Sequence, residues 1–316
     1  MKNVRTAVIG VGYLGRFHAQ KYAALEESEL VAVVDRDAST RERVAAETGC
    51  RPEADYHRIL DQVDAVSIAT PTPLHHPIAR TCLEHGLHVL VEKPITETPE
   101  QARDLVRLAA ERGRVLQVGH LERFNSAILA LEGTLRTPRF VESHRLAPFK
   151  ARGTDVNVVL DLMIHDIDLI QSLVGAPIES IDAVGTSVFS AGLDIANARI
   201  RYANGCVANT TASRVSMKVE RKLRLFQDDA YISIDLQQKV LTIVRKPDDS
   251  AAAAPGQVTL EERSYEQGDA LRLEIEAFLR AIREGGPPVV TGEDGLRALE
   301  AAIRITELVQ ADQIAR

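Results

Sequence analysis

Short apolar runs alternate with amphipathic stretches over the first 120 residues of the chain. Five runs rich in β-branched residues predict buried strands at 4–9, 30–35, 65–70, 88–92 and 115–119. The stretches between them predict helices near 13–25, 38–48, 74–85 and 98–112. Buried strands that alternate with helices are typical of a parallel sheet built from βαβ units. We therefore predict a doubly wound, Rossmann-type domain over residues 1–120.

The pattern changes after residue 121. A strand at 140–146 and an apolar helix at 156–173 are followed by strand-like segments near 178–188, 195–203, 206–214, 222–227, 230–236 and 239–245. Ala196, Ala198, Ile200 and Tyr202 alternate with polar residues, which indicates a half-covered antiparallel sheet. A surface loop at 247–256 precedes two helices, at 269–284 and 293–313. We therefore predict the fold class α/β, with an α+β domain over 121–316 that has a large open, mostly antiparallel sheet, and we expect this domain to serve substrate binding and oligomerisation.

Composition places the chain among ordinary globular proteins. Of its 316 residues 45% are hydrophobic and 26% charged, and the net charge of -7 argues against nucleic-acid binding. Three cysteines without a CxxC pair fit a reducing compartment and carry no disulfide or metal signature. Glycines and Arg16 interrupt the apolar run at 6–14, so it predicts a first strand and turn rather than a secretion signal. We expect a cytoplasmic protein that does not bind membranes.

A glycine-rich turn joins the first predicted strand to the first predicted helix. Its sequence, Gly10-Val11-Gly12-Tyr13-Leu14-Gly15, has the spacing G-x-G-x-x-G. This spacing permits a tight turn, lets the backbone approach a pyrophosphate, and lets the helix pack on the strand. We predict that the turn binds a dinucleotide; the alternative is a glycine turn in an α/β protein that binds none.

Asp35 ends the next strand, 20 residues after Gly15. A carboxylate at this position accepts hydrogen bonds from the ribose hydroxyls and repels a 2′-phosphate, so NAD is favoured over NADP. Arg36 leaves the choice open, because its guanidinium could pair with that phosphate or stack on the adenine.

Further candidates follow the later strands, at the sheet edge where ligands of such folds bind. The predicted cofactor contacts there are Thr70, Pro71, His75, Glu92, Lys93 and Gln117. Lys93 is the most informative, because an amine beside a nicotinamide ring can donate or relay a proton. The alternatives are a solvated surface lysine at 93 and a structural histidine at the start of a helix at 75.

A second group of candidate catalytic residues lies in the apolar helix predicted at 156–173. Asp161 and His165 are four residues apart and share one face, where His165 could accept a hydroxyl proton while Asp161 orients its ring. Asp166 and Asp168 follow, and polar groups in such a helix must be paired or line a cavity. Two alternatives are a structural histidine and a metal site; the segment lacks a second histidine at ligand spacing, so we expect no metal.

Other polar residues are candidates for substrate binding. His120, Arg123 and Asn125 come directly after the strand at 115–119, and Arg123 could hold an anionic group or form an ion pair with Glu122. Arg214 begins a basic stretch over 214–224, which could bind a diphosphate or form a solvated sheet edge.

Taken in chain order, these features resemble the Gfo/Idh/MocA oxidoreductase family. The resemblance is carried by GVGYLG, Asp35, Thr70-Pro71, Glu92-Lys93-Pro94 and Asp161-x3-His165, and it extends over essentially the whole chain. It implies that Lys93 and His165 are the catalytic pair, that Asp161 is the acidic partner, and that NAD oxidises a CH–OH group.

Segments 118–125, 161–168, 213–218 and 221–226 are similar to one branch of that family, which contains UDP-N-acetylglucosamine 3-dehydrogenases. This similarity implies oxidation of a nucleotide-sugar 3-hydroxyl and coupling to an aminotransferase that supplies a 3-amino sugar for lipid A. Rival hypotheses are an inositol, free-sugar or UDP-sugar-acid dehydrogenase, a non-catalytic NAD-binding sensor, and a metal-dependent hydrolase. The outer face of the open sheet also predicts a homo-oligomer, either a dimer or a tetramer.

Overall fold

The structure is a computed structural model that describes residues 3–149, 156–247, 258–266 and 268–315. The chain forms two units, one of residues 1–121 with 269–299 and the other of 122–268 with 300–316. The loop predicted at 247–256 lies outside the described residues, apart from residue 247.

The first unit is built on a six-stranded parallel sheet. Its strands are β1 (Val4–Ile9), β2 (Ser28–Val34), β3 (Arg51–Glu53), β4 (Ala65–Ile68), β5 (His88–Glu92) and β6 (Leu116–Gly119). Its helices up to residue 121 are α1 (Tyr13–Ala24), α2 (Ala38–Thr48), α3 (His75–Glu84) and α4 (Pro99–Arg112). The strand order β3-β2-β1-β4-β5-β6 confirms the predicted doubly wound sheet, whose order reverses between β1 and β4.

Local sequence explains the ends of these helices. Asp37 caps α2 by accepting from the Thr40 amide, and Thr98 and Gln101 form a capping box at the start of α4. Gly113 ends α4 with a φ of 60°, a backbone conformation that favours glycine. Strand β3 was missed, because three residues with a central proline carry no apolar alternation.

Helix α7 (Ala270–Glu284) also belongs to the first unit. Its Ile275 and Phe278 are fully buried and pack in one cluster with Tyr22 and Leu25 of the α1 region. The predicted boundary, which gave every residue after 120 to the second domain, therefore differs from the packing at 269–299. Periodicity predicts that α7 has an apolar face but does not indicate which sheet covers it.

The second unit contains an eight-stranded sheet with the order β14-β13-β12-β11-β7-β10-β9-β8. Its strands are β7 (Phe140–Leu146), β8 (Ile178–Thr186), β9 (Ile195–Tyr202), β10 (Val207–Ser213), β11 (Glu220–Gln227), β12 (Ala230–Asp235), β13 (Val240–Arg245) and β14 (Thr259–Ser264). Neighbouring strands are antiparallel except for the parallel pair β7 and β10, which confirms the predicted mostly antiparallel sheet. Strand β14 was not predicted, because all six of its residues are exposed.

The helices of the second unit include α5 (Ser126–Leu129) and α6 (Ile164–Val174). The helix predicted at 156–173 starts as a π-helical turn, Val159–Met163, and continues as α6. Asn157 begins it, because its side-chain oxygen accepts from the Val159 and Leu160 amides. Helix α8 (Gly292–Ala315) closes the chain and is divided between the units after residue 299.

None of the helices in the described residues has the length and apolarity that crossing a membrane requires.

Asp194 stabilises a loop of the second unit through buried hydrogen bonds. Its carboxylate accepts from the Val188, Phe189 and Ser190 amides and pairs with Arg214 at 2.9 Å. Burial alone would raise the pKa of Asp194, but the Ser190 hydroxyl and these amides outweigh it and hold the pKa well below its usual value of 3.8.

We expect Asp194→Asn to lower the free energy of unfolding by about 3 kcal/mol at pH 7, because it leaves the Arg214 charge buried without its partner. A depressed pKa stabilises the folded chain above the unfolded value of 3.8, and this contribution is lost progressively as the pH falls from 3.8 towards the lower pKa of the folded chain. Chemical denaturation at pH 7 and pH 3 checks this, with Asp182→Asn on exposed β8 as the control. An equal loss at both pH values would contradict the assigned role.

Candidate active site

The glycine turn of the first unit lies between β1 and α1, and its three glycines have different surroundings. A Cβ on Gly15 would lie 1.8 Å from the Gly10 oxygen, and one on Gly10 would lie 2.8 Å from the Ala69 oxygen. A Cβ on Gly12 would meet no described atom within 4 Å. Gly10 and Gly15 are therefore required by the packing of the turn, and Gly12 presents open backbone at the start of α1. An exposed helix N-terminus of this kind favours a phosphate group.

Tyr13 and Leu14 complete the turn and are largely exposed, at 82% and 48%. The Tyr13 ring contacts Phe17 edge to face, with centroids 5.4 Å apart. The glycine turn is therefore followed by two adjacent exposed side chains at the start of α1.

Asp35 follows β2 and is tied to the glycine turn. Its Oδ2 accepts from the Val11 amide at 2.9 Å and its Oδ1 from the Asp37 amide at 3.0 Å. These bonds hold the carboxylate beside the turn, as a ribose-binding acid requires. Arg36, the next residue, is exposed.

His75 connects two of the strand-end turns. Its Nε2 lies 2.8 Å from the Thr70 oxygen and its Nδ1 lies 2.8 Å from the Pro94 oxygen. The ring is 1% exposed. His75 therefore holds the Thr70-Pro71 turn against the Lys93-Pro94 turn, which favours its structural alternative over direct contact with the cofactor.

Glu92 holds the turn that carries Lys93. Its Oε2 accepts from the Lys93 amide at 3.2 Å, and its Oε1 lies 3.0 Å from Nε2 of His18 on α1. A Cβ on Gly119 would lie 3.0 Å from the Glu92 carboxyl, so glycine there leaves room for this acid. Lys93 itself is half-buried.

Gln117 of β6 faces α7 in this structure. Its amide donates to the Glu274 backbone oxygen at 3.0 Å, and its side chain is fully buried. Gln117 thus anchors α7 to the sheet, and this geometry does not support its predicted cofactor contact. His120, directly after β6, is 1% exposed.

In the second unit, Asp161 lies in the π-helical turn and His165 in the first turn of α6. Both side chains are half-buried, whereas Met163, Ile164 and Asp166 around them are buried. The predicted pair therefore occupies the accessible part of an otherwise enclosed helix.

Two buried ion pairs anchor that helix. Arg145 of β7 contacts Asp166 at 2.6 Å and Glu122 at 2.9 Å, and Arg123 contacts Asp168 at 2.8 Å. Burial would lower the pKa of Arg145, but the two carboxylates raise it above its usual value. The sequence left Arg123 either to a substrate group or to an ion pair with Glu122. In the structure Arg123 pairs with Asp168, and Glu122 pairs with Arg145 of the sheet.

Arg214 and Asn125 are structural in this geometry. Arg214 is 6% exposed and donates to Asp194 and to the Val156 oxygen at 2.7 Å. Asn125 begins α5 by accepting from the Ala127 amide, and it donates to the Leu236 oxygen. Their predicted substrate contacts do not fit these positions, because their polar atoms already serve the fold.

Three further basic residues of 214–224 are near acids. Arg224 contacts Glu142 at 2.9 Å, Arg221 lies 3.7 Å from Glu122, and Lys218 contacts Glu220. The stretch therefore fits a charge-paired sheet edge better than a diphosphate site.

Two family models match the chain. One is described as the oxidoreductase family, NAD-binding Rossmann fold, and matches residues 4–120; the other is its C-terminal alpha/beta domain and matches 135–314. The chain belongs to the Gfo/Idh/MocA oxidoreductase family. The resemblance that the motifs indicated is confirmed.

Individual relatives cover nearly the whole chain. It is 43% identical over 312 residues to UDP-N-acetylglucosamine 3-dehydrogenase from Acidithiobacillus ferrooxidans, covering 98% of this chain and 99% of the relative. A solved structure of that enzyme matches with a TM-score of 0.92. Inositol 2-dehydrogenase 1 from Mycolicibacterium vanbaalenii is 33% identical, covering 90% of this chain and 86% of the relative.

The fold is also that of scyllo-inositol dehydrogenase from Lactobacillus casei, solved with NAD(H) and scyllo-inositol. That structure is 21% identical, has a TM-score of 0.81, and the match covers 98% of both chains. This chain is an NAD-dependent oxidoreductase, and its own residues fit the cofactor. Gly12 and the α1 N-terminus would hold the pyrophosphate, and Asp35 the adenosine ribose.

Sequence reasoning missed four residues of the site's supporting structure: His18, Arg145, Asp194 and Glu274. Each is buried, and residues distant in the chain lie beside it: Glu92 beside His18, Asp166 beside Arg145, Arg214 beside Asp194, and His18 with Glu92 beside Glu274. In the sequence each of these residues appears only as a charged or polar residue within an otherwise apolar pattern. Such a residue needs a partner when it is buried, but the pattern does not show which residue that partner is.

We expect Gly15→Ala to abolish NAD binding and to destabilise the first unit, because its methyl group would overlap the Gly10 oxygen. Gly12→Ala is the matched control for folding, since its methyl meets open space. It should keep the melting temperature of the wild type and weaken NAD binding alone. Calorimetric titration and thermal unfolding of both variants test this, and normal stability in Gly15→Ala would contradict it.

Proposed function

We propose that this protein oxidises the 3-hydroxyl of UDP-N-acetylglucosamine with NAD to give a 3-keto nucleotide sugar. The likeness that carries the proposal is the 43% identity to the Acidithiobacillus ferrooxidans 3-dehydrogenase, which extends over 98% of this chain. The presence of Lys93, Asp161 and His165 in this chain supports it, because these residues can perform the proton transfer that the oxidation needs.

The reaction removes one proton from the hydroxyl oxygen and one hydride from the adjacent carbon. In our proposal, the neutral imidazole of His165 accepts the hydroxyl proton and Asp161 stabilises the charged ring. Lys93, held by the Glu92 turn, polarises the developing alkoxide. When NAD is bound, its nicotinamide ring supplies the hydride acceptor. His120 stays a candidate for substrate contact, while Arg214 and Asn125 are left out because their polar atoms serve the fold.

A 3-keto sugar is a substrate for an aminotransferase, so we propose that such an enzyme consumes the product on a route to a 3-amino sugar of lipid A. We also propose a cytoplasmic location, which the three free cysteines support. Assembly into a homo-oligomer is supported by a line of half-buried aromatic residues, Phe140, Phe226 and Tyr231, on neighbouring strands.

A second candidate function is oxidation of an inositol, which the relative from Mycolicibacterium vanbaalenii favours. The two candidate substrates, an inositol and a nucleotide sugar, differ in size and charge, since only the nucleotide sugar carries a diphosphate.

We expect UDP-N-acetylglucosamine to reduce NAD with a kcat/KM at least about tenfold above those for myo-inositol, N-acetylglucosamine and UDP-glucuronate. NADH absorbance measures the rates, and NMR of the product shows which carbon has become a ketone. Preference for inositol, or a ketone at another carbon, would contradict the proposal. Failure of every substrate to reduce NAD would favour a non-catalytic NAD-binding protein.

We expect Lys93→Met and His165→Ala each to lower kcat by about 10²- to 10⁴-fold, the usual contribution of general acid–base catalysis, while NAD still binds. His85→Ala is the control, because that histidine is exposed at the end of α3. Stopped-flow turnover and NAD fluorescence titration separate chemistry from binding. Near wild-type turnover in either variant would remove that residue from the catalytic pair.

A further inference from the structure

Three titratable side chains form a buried cluster beside the Glu92–Lys93 turn in the first unit. They are His18 from α1, Glu92 from the end of β5 and Glu274 from α7, and one ligand atom from each lies within 4.8 Å of the others. His18 is 1% exposed and Glu274 is fully buried. The catalytic roles proposed above use neither of these two residues.

The two carboxyl groups of the cluster have different partners. Glu92 accepts from the Lys93 amide and lies within hydrogen-bond distance of His18. Neither carboxyl oxygen of Glu274 has a hydrogen-bond partner among the described residues. A buried carboxylate without donors costs far more free energy than a buried neutral carboxylic acid. The negative charge is therefore favoured on Glu92 and the proton on Glu274.

The pKa directions agree with this geometry. Burial, with the nearby charge of Glu92, raises the pKa of Glu274 well above its usual value. Burial would raise the pKa of Glu92 as well, but the hydrogen bond and charge of His18 and the charge of Lys93 hold it below the usual value. When two carboxyl groups share one site, their pKa values move apart in this way.

We propose that Glu274 is a positioning residue that retains a proton at neutral pH and so limits the cluster to one carboxylate beside Lys93. A second carboxylate would repel the first and would favour the charged form of the Lys93 amine. The link to Lys93 rests on the proposed function, whereas the proton on Glu274 does not.

Few other groups around Glu274 can titrate. Helix α1 contributes His18 and Tyr22, and burial raises the pKa of Tyr22. The end of β5 contributes Glu92 and Lys93. From β4 and β6, the neighbouring polar residues are Ser67 and Gln117, which do not titrate.

Difference infrared spectroscopy tests the proton on Glu274 without any activity measurement. The holoenzyme at pH 7 should show the carbonyl band of a protonated carboxylic acid, and Glu274→Gln should lose it. Glu276→Gln is the matched control on the same helix, since Glu276 pairs with Arg272 near the surface. Absence of the band from the wild type, or its persistence in Glu274→Gln, overturns the proposal.

The pH dependence of stability gives a second test with a defined sign. Below the ordinary glutamate pKa of 4.5, Glu274 is protonated in both the folded and the unfolded chain. As the pH rises, the unfolded chain releases this proton and the folded chain keeps it, so the wild type loses stability that Glu274→Gln retains. The melting temperature of Glu274→Gln relative to wild type should therefore increase from pH 5 to pH 8. A constant difference overturns the proposal, even if Glu274→Gln is less stable overall.

The link to Lys93 is tested by the pH profile of kcat/KM. Glu274→Gln keeps a neutral group, so its activity at pH 7 should stay within about threefold of wild type. Its alkaline decline should move downward by about half a pH unit or more, because wild-type Glu274, once it ionises, favours the charged Lys93 amine and the variant cannot. An unchanged decline overturns the link while leaving the protonated acid in place. The fall in kcat expected for Lys93→Met tests the proposed function separately.

The cluster also has spacing suited to a metal ion, and this rival has its own outcome. A bound cation requires an ionised Glu274. If Zn²⁺ or Mn²⁺ alone raises the melting temperature of wild type but not of Glu274→Gln, and the acid band is absent, the cluster is a cation site and the proposal fails. No shift with either metal supports the protonated acid.

Discussion

The structure depends on where each buried carboxylate finds its donors. An ionised acid inside a protein is stable only when hydrogen bonds or opposite charges replace the water it has lost. Asp194 has three backbone amides and Arg214, and Asp168 has Arg123. In the first unit, Glu92 meets the same requirement through His18 and the Lys93 amide. That last set of bonds also fixes the backbone that carries the proposed catalytic lysine.

The strands and helices could be predicted largely from the sequence because their apolar patterns are local. Strands β1, β5 and β7 and helix α2 begin and end where the pattern predicts. Glycine spacing and Asp35 were likewise sufficient to predict a dinucleotide turn, because those residues are adjacent in space and lie on consecutive elements. The turn needs few distant contacts, and this explains why its motif is informative.

Partners that are distant in the chain could not be predicted in the same way. Arg214 belongs to a basic stretch, which suggested an anion site, yet its guanidinium is buried against Asp194. Helix α7 has an apolar face, but only the folded chain shows that Phe278 packs with Tyr22. Charge and periodicity indicate that a residue needs an opposite charge or an apolar neighbour. The topology of the folded chain decides which residue provides it.

The polar residues of α6 and the preceding turn illustrate the same principle within one helix. Asp161, His165 and Asp168 are spaced by four and three residues and so lie along one face. Arg123 forms an ion pair with Asp168 on this face, and Arg145 forms one with the neighbouring Asp166. The two anchored acids fix the helix against its neighbours, and Asp161 and His165 lie half-buried on it. A helix fixed by buried ion pairs can present an acid and an imidazole in a constant orientation, and a proton transfer between substrate and protein depends on that constancy.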